Sequence, residues 1–249
     1  MQRLTDPAVL EGILNRDWPW AGFAIGDLEP ESMRHCEWLL EGDSLVLLFD
    51  GLAPRLLCHY GEPSAIAPIL AAIDEARVWA NIHPGCEVTF HRFYQPEHCV
   101  RMCRMYSEQA VPAEGRAECL SPADRTEIEE LLATGEWVLF LPDRLDGGFY
   151  YGVRENGRLV AIAGTHLAST RYNIAALGSV FTHPAHRGKG LARICCSHVL
   201  AAIGQAGIRR IVLNVEEAKA SARGLYEGLG FRTACVYTDG EYVRRSTRP

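Results

Sequence analysis

The chain has 249 residues, enough for one large or two small domains, and its 48% hydrophobic content is ample for a packed core. The formal net charge of −6 argues against a general nucleic-acid partner. No apolar stretch approaches the roughly 20 residues of a membrane helix, and the charged N-terminus is unlike a signal peptide. Nine irregularly spaced cysteines favour reduced thiols in the cytoplasm over a disulfide framework.

The first half of the chain predicts short helices and strands. Asp6 as N-cap and Pro7 at the first helical position predict a helix over 7–14. A strand pair is expected around the Asp50-Gly51 turn. The two strands of this pair are expected at 44–49 and 55–60. The other expected elements of this half are a helix at 63–72, a strand at 78–82, a helix from Pro84 to about Tyr94 and a strand at 99–106.

Residues 107–121 have little periodicity and contain proline and glycine, so we expect a domain boundary there, giving domains 1–115 and 116–249. In the second domain, Ser121-Pro122 starts a helix and Asn156-Gly157 forms a hairpin turn. From Phe149 onward the predicted order is β-β-β-α-β-α-β. The expected strands are 149–154, 158–167, 174–182, 208–215, 233–237 and 241–244, and the helices are 121–133, 188–205 and 220–229.

The strongest functional signal is the segment Val180–Ala192, VFTHPAHRGKGLA. A predicted strand ends there, and two glycines within three residues precede a helix. Glycines allow close backbone approach to a ligand, and a helix N-terminus leaves N–H groups without partners. Together with the helix dipole, these features predict an anion site suited to a pyrophosphate.

A second block follows at a defined separation: Leu213-Asn214-Val215, Ser221-Ala222, Leu225-Tyr226 and Gly230-Phe231. This block and the R-x-x-G-x-A spacing of the loop, over about 178–231, resemble the GNAT N-acetyltransferase superfamily. The resemblance implies an α/β (α+β) fold whose mixed central sheet has two splayed parallel strands, between which the thioester arm enters. It also implies an acyltransferase that moves an acetyl group from acetyl-CoA to an amine of a small molecule by direct attack, without a metal.

The N-terminal half also carries a resemblance. Its hairpin-then-helix order suggests a degenerate GNAT-like half, and the string LPDRLDGGFYYGV at 141–153 is similar to glycine N-acyltransferase-like members of the superfamily. This resemblance implies a tandem arrangement of two related halves.

The family resemblance implies mainly backbone roles in cofactor binding. The N–H groups of the loop would hold the pyrophosphate, and the side chains of Arg187 and Lys189 would add positive charge. The preceding strand would pair its backbone with the pantetheine arm. The chain departs from the family at Lys219, where asparagine is common. The implied cofactor-binding residues are Val180, Phe181, Thr182, Arg187, Gly188, Lys189, Gly190, Leu191, Ala192, Asn214, Ala222 and Tyr226.

Tyr226 resembles the family tyrosine that protonates the departing thiolate. Many relatives place a glutamate base on the strand before the loop, but that strand reads AALGSVFT here and has no carboxylate. A histidine titrates near neutrality and suits the role. We expect His166, on a strand, slightly ahead of His183, in a turn. The alternatives are Glu216, Glu217, a carboxylate of the N-terminal half or a water relay.

Other interpretations stay open at this point. His91, His98, Cys99 and Cys103 suggest a metal site, but on a strand the two cysteines would lie ~13 Å apart, so a core role is favoured. Trp18-Pro19-Trp20 and Phe149-Tyr150-Tyr151 could line a pocket, but burial in the core is the default for such side chains. The alternative functions are a non-catalytic acyl-CoA-binding sensor and a protein-modifying acetyltransferase. The acceptor, the acyl-chain preference and the oligomeric state are left open.

Overall fold

The computed structural model of the chain describes residues 1–109, 111–136, 138–147 and 149–246. Its contacts divide the chain into two compact units. The first unit contains residues 1–105, 214–220 and 233–249, and the second contains residues 106–213 and 221–232. The contacts therefore group two C-terminal segments with the N-terminal part of the chain. The domain bounds 1–115 and 116–249 stay a prediction.

The chain alternates short helices with strands from end to end. The helices are α1 Pro7–Leu14, α2 Trp18–Gly26, α3 Pro30–Met33, α4 Ile66–Ala72, α5 Glu87–Phe93, α6 Arg125–Leu132, α7 Leu191–Gln205 and α8 Ala220–Gly228. The strands are β1 Gln2–Leu4, β2 Cys36–Glu41, β3 Ser44–Phe49, β4 Leu56–Gly61, β5 Arg77–Ile82, β6 Tyr94–Ser107, β7 Glu118–Cys119, β8 Tyr151–Glu155, β9 Arg158–Ser169, β10 Ile174–Thr182, β11 Arg210–Glu216 and β12 Arg232–Arg244.

Local sequence signals produce several of these elements as predicted. The carboxylate of Asp6 accepts the Ala8 N–H at 2.9 Å, which caps α1. Ser121 and Asp124 form a capping box before α6. Asn156 and Gly157 both have positive φ, 52° and 78°, as the tight turn between β8 and β9 requires. These predictions are confirmed because each depends on residues close together in the chain.

Other predicted elements differ from the structure. The two strands expected at 233–237 and 241–244 are one continuous strand, β12, which pairs with β5 from Thr238 to Val243. The helix expected from Gly188 begins at Leu191, because Gly188 and Gly190 have φ of 78° and 76°, outside the helical region. The weak strand expected at 99–106 is the longer β6. Sequence reasoning missed β1, α2, α3, β2 and β7.

The sheet of the first unit has the strand order β1-β2-β3-β4-β5-β12-β6. Its strands pair antiparallel from β1 to β4, and β5 pairs antiparallel with β12. The parallel pair is β4 with β5, from Leu56–Trp79 to Cys58–Asn81. Helices α4 and α5 pack on this sheet around a core that includes Leu57, Ile69 and Phe90.

The sheet of the second unit has the order β11-β10-β9-β8-β7. Strand β10 pairs antiparallel with β9 and parallel with β11. Helix α6 contributes Ile128 and Leu131 to a core that also contains Tyr150 and Phe181. Each unit is thus mixed α/β with a mixed sheet, as the sequence predicts. No helix within the described part of the chain is long and apolar enough to cross a membrane.

Candidate active site

The parallel strands β10 and β11 of the second unit separate part-way along their length. Their pairing covers Ile174–Arg210, Ala175–Ile211 and Ala176–Val212. Strand β10 then continues to Thr182, paired on its other side with β9. A parallel pair that stops after three residues leaves one edge of β10 available to an extended ligand.

Strand β10 carries a β-bulge just beyond that separation. Gly178 pairs with Gly164 and Phe181 pairs with Ile162, so two residues of β10 face one residue of β9. Ser179, inside the bulge, has a φ of 49°, which is uncommon for a residue with a side chain. The bulge changes the direction of the backbone at Val180, where the pantetheine arm is expected.

The loop between β10 and α7 is open to solvent. Residues 187–190 are exposed, and an added Cβ at Gly188 or Gly190 would meet nothing within 4 Å. Gly190 is the N-cap of the 15-residue helix α7, whose first N–H groups lack helical partners. Both glycines adopt left-handed backbone conformations, which favour glycine. The backbone of the loop is therefore accessible from solvent, as the predicted anion site requires.

Charged groups surround this loop. The Nζ of Lys189 lies 3.1 Å from Glu155, and Nδ1 of His186 lies 3.0 Å from the same carboxylate. The hydrogen bond from Lys189 is the main cause that lowers the pKa of Glu155. Nε of Arg187 donates to the carbonyl of Thr182 at 3.3 Å. Glu155, which sequence reasoning missed, thus restrains one of the two cationic side chains of the loop.

Two predicted cofactor-binding residues have unsatisfied polar atoms. Oγ1 of Thr182 and Oδ1 of Asn214 are buried and have no hydrogen-bond partner among the described residues. A buried polar atom without a partner is costly, so a ligand that supplies one is favoured. Thr182 ends β10, and Asn214 lies on β11 and is grouped by its contacts with the first unit. The amide N–H groups of a pantetheine arm are donors, so their chemistry fits Oγ1 of Thr182 at the end of β10.

Helix α8 presents Tyr226 on its buried face. Tyr226 is 7% exposed, and its ring packs against Phe231 at a centroid distance of 6.1 Å. Arg193 on α7 donates to the carbonyl of Gly228 at 3.0 Å, which fixes α8 beside α7. Burial, followed by the Cys196 thiol, raises the pKa of Tyr226 well above its usual value. The phenol therefore keeps its proton at neutral pH, as a proton donor requires. Ala222 is half-buried on the same helix.

The sequence profile of the acetyltransferase (GNAT) family matches residues 104–231, just over half of the chain. The chain belongs to the GNAT acetyltransferase family. Members of this family transfer an acyl group from acetyl-CoA, and this GNAT protein is accordingly an acyltransferase enzyme. No curated protein matches its sequence.

Solved structures share the fold of this GNAT enzyme over most of its length. A protein described as a GNAT-family acetyltransferase from Novosphingobium aromaticivorans is 23% identical, with a TM-score of 0.62 over 92% of this chain and 100% of that chain. A GCN5-related N-acetyltransferase from Sphaerobacter thermophilus is 16% identical, with a TM-score of 0.60 over 92% and 86%. A Drosophila protein is 11% identical, with a TM-score of 0.68 over 100% and 99%. At these identities the likeness shows the fold alone.

The two candidate histidines of the GNAT enzyme differ in which nitrogen is free. Nε2 of His166 lies 3.3 Å from the carbonyl oxygen of Leu139, which can only accept, so Nε2 carries the proton and Nδ1 keeps a lone pair. Nδ1 of His183 instead accepts the Ala185 N–H at 3.1 Å and caps the turn Pro184–His186. The neutral ring of His183 therefore has no free lone pair, whereas that of His166 has one.

His166 sits over the bulged part of β10. An added Cβ at Gly178 would lie under 3.0 Å from three atoms of the imidazole, so the ring packs directly against the backbone of that glycine. Burial lowers the pKa of His166, and the hydrogen bond to Leu139 partly opposes this effect. The imidazole is consequently neutral at pH 7, which suits a group that accepts a proton.

The alternative carboxylates both have cationic partners. Glu216 pairs with Lys219 at 2.8 Å, and Glu217 pairs with Arg101 at 3.4 Å. Both glutamates follow the paired part of β11 and belong to the first unit. Within the described residues, no group of three or more His, Cys, Asp or Glu side chains is placed to hold a metal ion.

Sequence reasoning missed the polar side chains beneath the bulge. The Tyr150 hydroxyl lies 3.1 Å from Oγ of Ser179, and Ser179 donates to the carbonyl of Leu139 at 2.8 Å. These residues are far apart in the chain and match no local motif. The Phe149-Tyr150-Tyr151 run offered one signal, since a buried tyrosine needs a partner for its hydroxyl.

Proposed function

We propose that this GNAT enzyme transfers the acetyl group of acetyl-CoA to an amine of a small molecule by direct attack on the thioester. The observation that carries the proposal is the exposed loop Arg187–Gly190 at the start of α7, directly after the bulged edge of β10. Backbone N–H groups of residues 188–192 would bind the pyrophosphate. The backbone of Val180, Phe181 and Thr182 would pair with the pantetheine arm.

His166 is the proposed general base. Its free Nδ1 and neutral imidazole suit removal of a proton from the attacking amine. Tyr226 is the proposed proton donor to the departing thiolate, supported by its burial and raised pKa. His183 ranks behind His166, because its acceptor nitrogen already caps a turn. With His166 as base, the rise of kcat/KM with pH should lie below the usual histidine pKa and vanish in His166→Ala.

The test is a thiol-release assay with acetyl-CoA and a panel of small amines, amino acids including glycine, and peptides. Rapid turnover of one small amine, lost in Tyr226→Phe, supports the proposal. Turnover of peptides alone identifies a protein-modifying acetyltransferase. Tight acetyl-CoA binding with no turnover of any acceptor class favours an acyl-CoA sensor, which the lack of a carboxylate on β10 would explain.

We also propose that the N-terminal part of the chain is a degenerate GNAT-like half, in a tandem similar to glycine N-acyltransferases. Its support is the repeated order of elements, β2-β3-β4-α4-β5-α5-β6 and β8-β9-β10-α7-β11-α8-β12. In each series the two parallel strands pair over three residues, as β4 with β5 and as β10 with β11. The connection at 61–65, GEPSA, lacks the glycine spacing of the phosphate loop.

Trp20 fills the position where β4 and β5 separate. Its Nε1 donates to the carbonyl of His59, one residue past the last paired residue of β4, at 2.8 Å. Its ring lies 5.1 Å from that of His83, which follows β5. The buried guanidinium of Arg104 covers the indole at 5.0 Å. Trp20 thus occupies the backbone acceptor that a pantetheine amide would need.

Calorimetry tests the degenerate half. We expect one acetyl-CoA per chain, and no residual binding after Gly190→Val in the phosphate loop. A stoichiometry of two, or a second site that survives this substitution, would contradict the proposal. A cytoplasmic location is also proposed, supported by the free thiols of all nine cysteines.

A further inference from the structure

The carbonyl oxygen of Leu139 accepts two hydrogen bonds from distant parts of the chain. Oγ of Ser179 donates to it at 2.8 Å, and Nε2 of His166 lies 3.3 Å away. A carbonyl has two lone pairs and can satisfy both donors. One backbone atom therefore connects the bulge of β10 to the imidazole on β9.

The bulge is connected in turn to a buried phenol. The hydroxyl of Tyr150 lies 3.1 Å from Oγ of Ser179 and 3.2 Å from the carbonyl of Thr165. Ser179 gives its one proton to Leu139, so the single proton of Tyr150 faces two acceptors, Oγ of Ser179 and the carbonyl of Thr165, and is shared between them. Its ring packs against Gly164, where an added Cβ would lie under 3.0 Å from three ring atoms. Tyr150 is fully buried and cannot move without disturbing this sheet.

We propose that Tyr150 and Ser179 are positioning residues for His166, acting through the Leu139 carbonyl. The Leu139 carbonyl selects Nε2 as the protonated nitrogen, and the hydroxyls of Ser179 and Tyr150 hold that carbonyl in place. Nδ1 is then left free on the side of the ring away from Leu139. When the amine proton moves to Nδ1, the imidazolium keeps its Nε2 hydrogen bond, and the carbonyl dipole stabilises the new charge. This inference rests on the proposed role of His166 as base.

Two variants remove the donors with little change in shape. Ser179→Gly deletes the hydroxyl while keeping a residue that adopts a φ of 49° without strain. Tyr150→Phe deletes the phenolic oxygen and keeps the ring over Gly164. We expect each to lower kcat by about 10-fold, because a small misplacement of a catalytic group is costly. The KM and Kd of acetyl-CoA should stay within about two-fold, and the double variant should resemble either single variant, since the residues act as one chain.

If Tyr150 and Ser179 only stabilised the fold, removing their hydroxyls would not change the tautomer or the pKa of His166. Nitrogen-15 NMR of the imidazoles measures both. The spectrum of a His166→Gln variant identifies the resonances. In wild type we expect the Nε2-protonated tautomer, with a mixture of tautomers and a changed pKa in Ser179→Gly. The control is Ser197→Ala, because Ser197 is equally buried and donates to a backbone carbonyl, that of Ile194, at 2.8 Å. This control should keep wild-type turnover and spectrum.

The outcomes separate this inference from the function on which it rests. An unchanged His166 spectrum and pH profile in Ser179→Gly would overturn the positioning role. If the spectrum changes but His166→Ala keeps full turnover, the hydrogen-bonded chain stands and His166 is not the base. Changes in both spectrum and pH profile, together with an inactive His166→Ala, support the complete scheme.

Discussion

Gly178→Ala should displace His166 without deleting it. An added Cβ at residue 178 would lie under 3.0 Å from Nε2, Cε1 and Cδ2 of the imidazole. Comfortable separations between such atoms are about 3.5–4.0 Å. The ring must therefore shift by about 1 Å, because the added Cβ is fixed in place by the backbone of β10. Such a shift breaks its hydrogen bond with the Leu139 carbonyl, already 3.3 Å long.

The size of the effect follows from this displacement. Overpacking by one methyl group in a packed region costs about 1–3 kcal/mol of stability. A catalytic group that moves by about 1 Å loses up to about 100-fold in rate. We expect kcat to fall 10- to 100-fold. The affinity for acetyl-CoA should change little, because the three atoms nearest to the added Cβ all belong to His166.

Stopped-flow thiol release gives kcat, calorimetry gives the Kd of acetyl-CoA, and urea denaturation gives the free energy of unfolding. Gly12→Ala is the control, because Gly12 lies on α1 and an added Cβ there meets nothing within 4 Å. The double variant with His166→Ala should be no slower than His166→Ala alone. Wild-type kcat in a folded Gly178→Ala enzyme would refute the reasoning, as would a double variant with additive losses.

Three further predictions concern the loop, the proton donor and acid stability. Gly190→Val places a β-branched residue at a φ of 76° and should abolish acetyl-CoA binding; unchanged calorimetric affinity would contradict the phosphate-loop assignment. Tyr226→Phe should lower kcat about 100-fold with little change in Kd, and full turnover would exclude Tyr226 as donor. Burial lowers the pKa of His59 to about 4. As the pH falls, the unfolded chain therefore binds a proton at His59 before the folded chain does. The free energy of unfolding should then fall by up to about 3 kcal/mol as the pH is lowered from 6.5 to 4. Urea denaturation measures this loss, and a His59→Gln variant that loses as much stability as wild type over the same pH range would exclude His59 as its cause.

The parts of the site that sequence predicts are those encoded within a few residues. The loop of Gly188 and Gly190 lies between a strand and a helix, and its spacing alone indicated an anion site. The hairpin at Asn156-Gly157 depends on two adjacent residues that tolerate positive φ. The start of α7 was placed three residues early, because glycines at a helix N-terminus and glycines before it look alike in sequence.

The bulge at Ser179 had no such signal. A serine in a β-branched and apolar strand predicts regular pairing, and its φ of 49° depends on partners 29 and 40 residues away in the chain. The tautomer of His166 depends on the same distant carbonyl. Sequence could therefore rank His166 above His183 by its place on a strand, but the nitrogen available for proton transfer follows only from Leu139 and Ala185.

Trp20 and Tyr150 illustrate why burial alone does not assign a role. Sequence favoured the core over a pocket for both, and both are buried. Their hydrogen bonds distinguish the two residues. Nε1 of Trp20 donates to the carbonyl of His59 at the opening between β4 and β5. The Tyr150 hydroxyl instead contacts Ser179 in the bulge of β10. An aromatic side chain that uses a strand's free acceptor closes that strand to a ligand. An aromatic side chain that bonds only to another side chain of the strand leaves the hydrogen-bonding edge of that strand available to a ligand. By this physical distinction, we expect acyl transfer in the C-terminal half and none in the N-terminal half.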